Sequence, residues 1–147
     1  MAFDDKFRLS SHAVILNPEG QVLLLKADYG AKSWGLPGGA LEPGETIHEA
    51  LIRECREELG AEVLINYLSG VYFHSAYNSQ AFIFRCALPS SSEIILSHEH
   101  TEFRYANIAD LGGVQQQRIS DCVCAQQQIA GQRGGCSQER GEDSRNG

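Results

Sequence analysis

One predicted helix constrains this chain more than any other stretch, because it collects carboxylates where a helix tolerates them least. Apolar residues recur with helical spacing over Thr46 to Leu59, and Gly60 follows as a residue suited to end the helix. The second half of this helix carries Glu54, Glu57 and Glu58. The carboxyl end of a helix has a partial negative charge, so these acids are repelled by the backbone and by one another. A chain that keeps such charges usually binds a cation with them.

The position of the acids around the helix favours a cation site over a solvated face. At about 100° per residue, the three glutamates share an arc of about 100°. That arc borders the one with the apolar side chains, which are Leu51, Ile52, Cys55 and Leu59. The alternative is a solvated face with ion pairs, and Arg53 and Glu57 are spaced to form one. Carboxylate oxygens are hard ligands, so the sequence favours Mg²⁺, which completes its coordination with water and phosphate oxygens.

The composition fits one globular domain. The chain has 147 residues, of which 42% are apolar and 21% charged, enough for a hydrophobic core. A net charge of −7 argues against a broad basic face for a nucleic acid polymer, although bound cations could still attract an anionic ligand. The longest aliphatic runs, "AVIL" and "VLLL", are too short to cross a membrane, and the first residues lack a secretory signal. We therefore expect a cytoplasmic protein without a membrane partner.

Strands and helices mix along most of the chain. Continuous apolar runs predict strands at 8–17 and 21–27 around a turn, with both faces covered. Glycines and a proline over 28–39 predict a loop without regular structure. Three more strands and a second helix are predicted over 61–75, 80–88, 101–108 and 114–130. The sequence thus predicts an α/β domain over 1–130, with helices on the faces of a sheet, and a disordered polar tail over 131–147.

Two other pairs of potential metal ligands are weak signals. Five cysteines, an odd number without framework spacing, predict reduced thiols. Cys122 and Cys124 lack the CxxC spacing of a zinc site, so we expect them to pack on the terminal helix. His98 and His100 have no cysteine or third histidine nearby, and we expect a polar loop there.

The spacing around the acidic helix resembles the signature of the Nudix hydrolase family. That signature runs from a glycine through a glutamate six residues later to an Arg-Glu pair, a Glu-Glu pair and a second glycine. The fixed identities all stand in register in this chain, at Gly39, Glu45, Arg53, Glu54, Glu57, Glu58 and Gly60. Cys55 and Ala61 replace larger aliphatic residues, a packing difference away from the acids. The order of predicted elements extends the resemblance over most of 8–130.

The resemblance implies an α/β/α sandwich around a mixed β-sheet, and a Mg²⁺-dependent pyrophosphohydrolase. Such an enzyme cleaves a nucleoside diphosphate linked to another moiety, and Mn²⁺ can substitute for Mg²⁺. By the same resemblance Glu54, Glu57 and Glu58 bind the metal, together with the backbone carbonyl of Gly38. A metal at such a site polarises phosphate oxygens and activates a bound water.

Other signature residues are expected to support this metal site. Arg53 would orient the glutamates through a salt bridge and so belongs to the catalytic set. Glu45 would tie the preceding loop to the helix, and Gly60 would end the helix. Gly38 and Gly39 would let the backbone come close to the metal, where a Cβ atom would intrude.

The resemblance also implies residues outside the signature. A general base is expected on a later loop, where Glu99 and Glu102 are candidates and Glu102 is preferred. Lys26 could meet a phosphate, and Phe73 or Tyr77 could stack on a base. An ordinary surface lysine and core packing of the phenylalanine are the alternatives.

The substrate stays open among nucleoside triphosphates, dinucleoside polyphosphates and nucleotide sugars. A tyrosine near position 77 is associated in the family with dinucleoside polyphosphate hydrolases, which is a weak indication. A module that senses nucleotides without turnover is the alternative function, and loss of one signature acid would favour it. None is lost. A homodimer is compatible with the resemblance.

Overall fold

The computed structural model has the α/β architecture that the sequence predicts. It describes residues 6–27, 33–75, 78–89 and 93–129, without the side chains of 101 and 126–129. The predicted tail and Tyr77 lie outside these ranges. The elements in chain order are β1 (Arg8–Ile15), β2 (Val22–Ala27), β3 (Trp34–Gly35), β4 (Gly38–Ala40), α1 (Ile47–Leu59), β5 (Leu64–His74), β6 (Ser79–Ala87), β7 (His100–Ala106), a 3₁₀ helix (Ile108–Asp110) and α2 (Gly113–Ile129).

The described strands form a mixed sheet and a smaller antiparallel sheet. The mixed sheet has the order β4-β1-β6-β5, and the smaller sheet has the order β3-β2-β7. β1 and β6 are parallel, whereas the other pairs of the mixed sheet are antiparallel. A single bridge between Leu16 and Val22 links the ends of β1 and β2. The two predicted strands around a turn are therefore present, but they enter different sheets.

Helices α1 and α2 cover opposite faces of the mixed sheet. Ala13 and Ile15 of β1 point into a core cluster with Leu51 of α1, whereas Val14 points into a second cluster with Ile119 of α2. Alternate side chains of a strand point to opposite faces of its sheet, so β1 is buried on both sides. This confirms the prediction made from the continuous apolar runs.

Local signals at both ends explain the bounds of α1. The Thr46 side chain accepts a hydrogen bond from the Glu49 amide, and the Glu49 side chain accepts one from the Thr46 amide. This reciprocal capping box stabilises the first turn. Gly60 ends the helix in the left-handed conformation at φ 67°, which costs glycine little. The predicted helix is confirmed.

The prediction of a loop without regular structure over 28–39 is wrong in its described part, residues 33–39. Trp34 and Gly35 pair with β2, and Gly38 and Gly39 pair with β1. Strands this short gain their order from neighbouring strands that are already fixed. Glycine and proline content reports local preference and does not detect such pairing.

Helix α2 lies where the sequence predicts a second helix. The state of the cysteine thiols also agrees with the sequence in most respects. Cys55, Cys86 and Cys122 are free and buried, as expected for packing residues. Cys124 is buried as well, but it is disulfide-bonded, so the expectation of reduced thiols is wrong for this residue. No helix of the described ranges is long and apolar enough to span a membrane.

Candidate active site

Helix α1 and strand β4 bring a buried carboxylate against a glycine backbone. Glu58 lies on the core side of α1 and is only 6% exposed. Its Oε1 accepts a hydrogen bond of 2.8 Å from the Gly38 amide. Glu54, one turn earlier, is mostly buried and its negative charge acts on Glu58, whereas Glu57 is exposed. The two inner acids of the signature therefore face β4, and the third lies at the rim.

Arg53 holds the remaining parts of the signature together. Its Nε and Nη2 atoms donate to the two carboxylate oxygens of Glu45, at 2.6 and 3.0 Å. Its Nη1 atom donates to Glu54 at 2.9 Å and to Glu57 at 3.3 Å, and Nη2 also donates to the carbonyl of Ala40. A planar guanidinium can serve several acceptors in fixed directions, which an ammonium group cannot do. Arg53 thus links the loop before α1 to the acids on α1.

The two adjacent positions, 38 and 39, require glycine for different structural reasons. A Cβ at Gly38 would lie 2.0 Å from the Ser11 carbonyl oxygen, and the residue has φ +138°. A Cβ at Gly39 would lie 2.7 Å from the Glu54 carboxyl carbon. Gly38 is therefore required by its close approach to β1, and Gly39 makes room for a candidate ligand. The sequence predicted a Cβ clash with the metal instead.

Burial and neighbouring negative charges raise the pKa values of the two inner carboxylates. Burial, and after it the negative charges of Glu54 and Glu99, raise the pKa of Glu58 to about 8, although the hydrogen bond from the Gly38 amide opposes this effect. Burial also raises the pKa of Glu54, although the Arg53 guanidinium opposes this effect. By contrast, the hydrogen bonds from Arg53 lower the pKa of Glu45. The charge of Glu45 is therefore stabilised within the protein, whereas the negative charges of Glu54 and Glu58 are disfavoured by their surroundings.

The donor set fits a hard divalent cation. Its oxygens come from carboxylates that repel one another beside a glycine backbone, and Arg53 leaves part of their charge unbalanced. Within the described ranges, no three acidic, histidine or cysteine side chains converge on one point. A cation here would fill the positions that the carboxylates leave open with water and phosphate oxygens, as Mg²⁺ usually does.

The segment before β7 bears on the choice between Glu99 and Glu102, and it adds a residue that the sequence did not place at the site. The charge of Glu99 acts on both Glu54 and Glu58. Glu102 lies further along β7, is 59% exposed and forms an ion pair of 3.5 Å with Lys26 on β2. The tertiary arrangement thus favours Glu99 over Glu102 as the acid beside the site.

The sequence predicted a polar loop at His100, and this prediction is wrong. His100 begins β7, its side chain is 9% exposed, and Nε2 lies 4.0 Å from Glu58 Oε2. Its buried Nδ1 has no hydrogen-bond partner in the described part of the chain. His98 is exposed. Only the proximity of His100 to Glu99 in sequence could have indicated its place at this site.

Of the two aromatic residues predicted to stack on a base, Phe73 lies on β5, near the start of α2, and Tyr77 lies outside the described residues. Tyr72, the residue before Phe73, packs against the core cluster below α2. Phe73 is 55% exposed and lines a cavity of about 320 Å³ together with Tyr72, Val114 and Arg118. The two aromatic rings therefore have different environments, and the exposure of Phe73 does not support the core-packing alternative for that residue.

Comparison with known proteins identifies the family. A family model described as NUDIX domain matches residues 6–121. A MutT-like protein of Streptomyces ambofaciens is 37% identical over 94 residues, which cover 63% of this chain and 59% of that protein. A putative 8-oxo-dGTP diphosphatase of Bacillus subtilis is 35% identical over 71 residues, covering 48% and 47%. An RNA pyrophosphohydrolase of Serratia proteamaculans is 45% identical over 60 residues, covering 41% and 34%. The chain thus spans between a third and three fifths of these relatives.

Solved structures share the fold at low sequence identity. An ADP-ribose pyrophosphatase of Streptococcus suis has a TM-score of 0.69 at 18% identity, covering 82% of this chain and 92% of its own. An Ap4A hydrolase of C. elegans has a TM-score of 0.67 at 24% identity, covering 83% and 98%. The intact signature on α1, the shared fold and the domain match over most of the chain agree with one another. This chain belongs to the NUDIX domain family.

Proposed function

We propose that this chain is a hydrolase of phosphoanhydride bonds that uses Mg²⁺, or Mn²⁺ in its place, and acts on a nucleoside diphosphate linked to another moiety. The observation that carries the proposal is a pair of mostly buried carboxylates one helical turn apart, Glu58 against the Gly38 amide and Glu54 against Gly39. Like charges buried together are costly unless a cation joins them. The positive charge of Arg53 is not enough to balance both carboxylates, because Glu45 already takes two of its hydrogen bonds.

Each signature residue has a role in this proposal. Glu54, Glu57 and Glu58 would hold the cation, with the carbonyl of Gly38 as a further ligand. Arg53 keeps Glu54 and Glu57 in place through its hydrogen bonds. The bound cation would draw charge from the phosphate oxygens and lower the pKa of a water molecule.

Glu99 is the general base in this proposal. Its charge acts on both inner glutamates, and its exposed position leaves room for a substrate and a water molecule. Its carboxylate would accept the proton of the attacking water, whose oxygen bonds to phosphorus while the bridging P–O bond breaks. Glu102 is less suited, because it forms an ion pair with Lys26.

The names of the relatives support a nucleotide substrate and leave its leaving group open. They include a putative 8-oxo-dGTP diphosphatase and an RNA pyrophosphohydrolase, and the similar folds include an Ap4A hydrolase. Lys26 near the phosphates, with Phe73 and Tyr77 near the base, remain predictions for substrate contacts. A cytoplasmic location and a homodimer remain predictions as well.

The test is hydrolysis of a nucleotide panel with Mg²⁺ by the wild-type chain and by Glu57→Gln and Glu58→Gln. The panel would hold nucleoside triphosphates, ADP-ribose, sugar nucleotides and diadenosine polyphosphates. We expect each variant to lose more than about a hundredfold in kcat/KM, which exceeds the effect of partners outside a metal's ligand shell. Glu62→Gln is the matched control, since Glu62 is exposed and pairs with Arg56.

Two results would contradict the proposal. Unchanged turnover in both glutamine variants would show that these acids do not hold the metal. An intact wild-type chain that hydrolyses nothing in the panel would favour a nucleotide-sensing module without turnover. Titration of Mn²⁺ followed by its electron paramagnetic resonance signal would separate these cases, because a sensing module with intact acids still binds the ion.

A further inference from the structure

A second cavity lies on the face of the mixed sheet opposite α1. It has a volume of about 280 Å³. Leu36, Ile83 and Val114 provide apolar walls, and the polar lining comes from His12, Gln115 and Arg118, with His74 at one side. This volume is close to the lower end of small-molecule sites and suits one planar part of a ligand.

Arg118 of α2 is the charged group of this cavity, and no acidic side chain in the described ranges forms an ion pair with it. No hydrogen bond or ion pair joins it to another residue of the described chain. Its guanidinium lies over the ring of Tyr72, 5.1 Å from the ring centre. Stacking on an aromatic face orients a guanidinium while leaving its N–H groups free to donate. Arg118 is thus held in place without using its hydrogen-bonding capacity.

The nearest acid on α2 is already committed elsewhere. Asp121 Oδ2 accepts a hydrogen bond of 2.8 Å from the Tyr72 hydroxyl, and Oδ1 accepts one of 2.9 Å from Gln117 Nε2. Asp121 therefore supports the ring that supports Arg118, and it does not neutralise the guanidinium.

The lining of the cavity calls for a ligand with hydrogen-bond acceptors. None of its lining residues is an acid, and a guanidinium only donates hydrogen bonds. Burial, together with the charge of Arg118, lowers the pKa of His12 to about 4, so His12 is neutral at pH 7. The apolar walls disfavour a fully charged phosphate and favour a flat heterocycle with acceptors on one edge.

The cavity adjoins the acid cluster across one pair of strands. Ser11 faces α1, since its hydroxyl donates to the carbonyl of Ile47, and the next side chain, His12, points to the opposite face. His12 is in register with Gly38, whose amide binds Glu58. β4 is an edge strand of the mixed sheet, so no further strand of this sheet lies beyond it on the side of the acids and the cavity.

We propose that this cavity binds the base of the nucleotide substrate, and that Arg118 selects a guanine-type over an adenine-type purine. Guanine presents O6 and N7 as adjacent acceptors, which match two N–H groups of a guanidinium. Adenine presents N7 beside an amino donor, which a guanidinium cannot satisfy. The inference rests on the proposed nucleotide hydrolysis for its ligand class. It assigns the specificity of the site to a residue outside the signature.

The test is equilibrium binding of GMP and AMP to the full chain with Mg²⁺, measured by calorimetry. We expect the wild type to bind GMP at least about fivefold more tightly than AMP. Arg118→Met should bring the two affinities within about twofold of each other, mainly through weaker GMP binding. Arg118→Lys keeps the charge but loses the planar fork, so it should also reduce the preference. Arg56→Met, at an exposed arginine paired with Glu62, should keep it.

Equal affinities in the wild type, no measurable binding of either monophosphate, or an unchanged preference in Arg118→Met would overturn the inference. If Arg118→Met does not fold, the wild type and Arg118→Lys decide the matter. Parallel hydrolysis assays separate this inference from the proposed function. Turnover without a base preference contradicts only the role of Arg118, whereas a preference without turnover contradicts only the hydrolase.

Discussion

The adjacent glycines Gly38 and Gly39 offer a sharp test of how the site is built, because a methyl group meets different atoms at each. At Gly38 it would lie 2.0 Å from the Ser11 carbonyl oxygen and 2.7 Å from the His12 Cα. At Gly39 it would meet the carboxylate of Glu54 at 2.7–2.9 Å. A backbone cannot move away cheaply, whereas the end of a glutamate side chain can.

Gly38→Ala should therefore be mainly a folding defect. Its φ of +138° is open to glycine and costs other residues about 1–3 kcal/mol, and the clash with β1 adds to that. We expect a loss of at least about 3 kcal/mol in the free energy of unfolding. At about 2–4 °C per kcal/mol, the Tm should fall by about 6–12 °C or more. Thermal unfolding followed by circular dichroism measures this directly.

Gly39→Ala should mainly be a defect of function. Its φ is not in the left-handed region, and alanine lowers the entropy of the unfolded chain, which offsets about 0.4–1 kcal/mol of the cost of displacing Glu54. The displaced Glu54 would lose its hydrogen bond with Arg53, a charged contact of about 1.5–3 kcal/mol. If that contact positions the metal ligand, kcat/KM should fall by about ten- to a hundredfold.

The comparison of the two variants can refute this account. If Gly39→Ala keeps full Mg²⁺-dependent activity, Glu54 is not held against this glycine for catalysis. If Gly39→Ala unfolds as readily as Gly38→Ala, the Glu54 side chain cannot yield as the geometry requires.

Three further predictions concern single side chains. Arg53→Lys should lose about 2 kcal/mol in the free energy of unfolding and at least tenfold in activity, because an ammonium group cannot reproduce the paired hydrogen bonds to Glu45. Chemical denaturation measures the first effect, and hydrolysis assays measure the second. His12 has its pKa lowered to about 4, so the fold prefers its neutral form, and its contribution to stability is lost as pH falls from about 6.5 toward 4. Denaturation at several pH values should show that His12→Gln removes at most about 3 kcal/mol of this pH dependence. Tyr72→Phe should cost about 1 kcal/mol, since its hydroxyl donates to Asp121.

Matched variants control these three experiments. Arg56→Lys changes an exposed arginine and should leave activity unaltered. His98→Gln changes an exposed histidine and should leave the pH dependence as in the wild type. Tyr105→Phe removes a hydroxyl for which the described chain shows no hydrogen bond, so it should cost less than Tyr72→Phe. Equal effects in a variant and its control would contradict the corresponding contact.

Helix α1 and the placement of its acids could be predicted from the sequence because their causes are local. The cap at Thr46, the left-handed end at Gly60 and the spacing of the acids all act within a few residues. An α-helix converts such spacing into shared faces by its own geometry. The sequence alone therefore determined that Glu54 and Glu58 lie together at the border of the core, and that the family is Nudix.

What lies around those acids depended on contacts between distant parts of the chain. The short strands β3 and β4 exist because β2 and β1 pair with them, although their own residues favour a loop. The proximity of Glu99 to the inner glutamates follows from the path of the chain into β7, which no residue pattern encodes. Arg118 and His12 share a cavity only because α2 packs on the face of the sheet that His12 occupies. Local spacing thus determined the candidate metal site, and tertiary packing decided which side chains surround it.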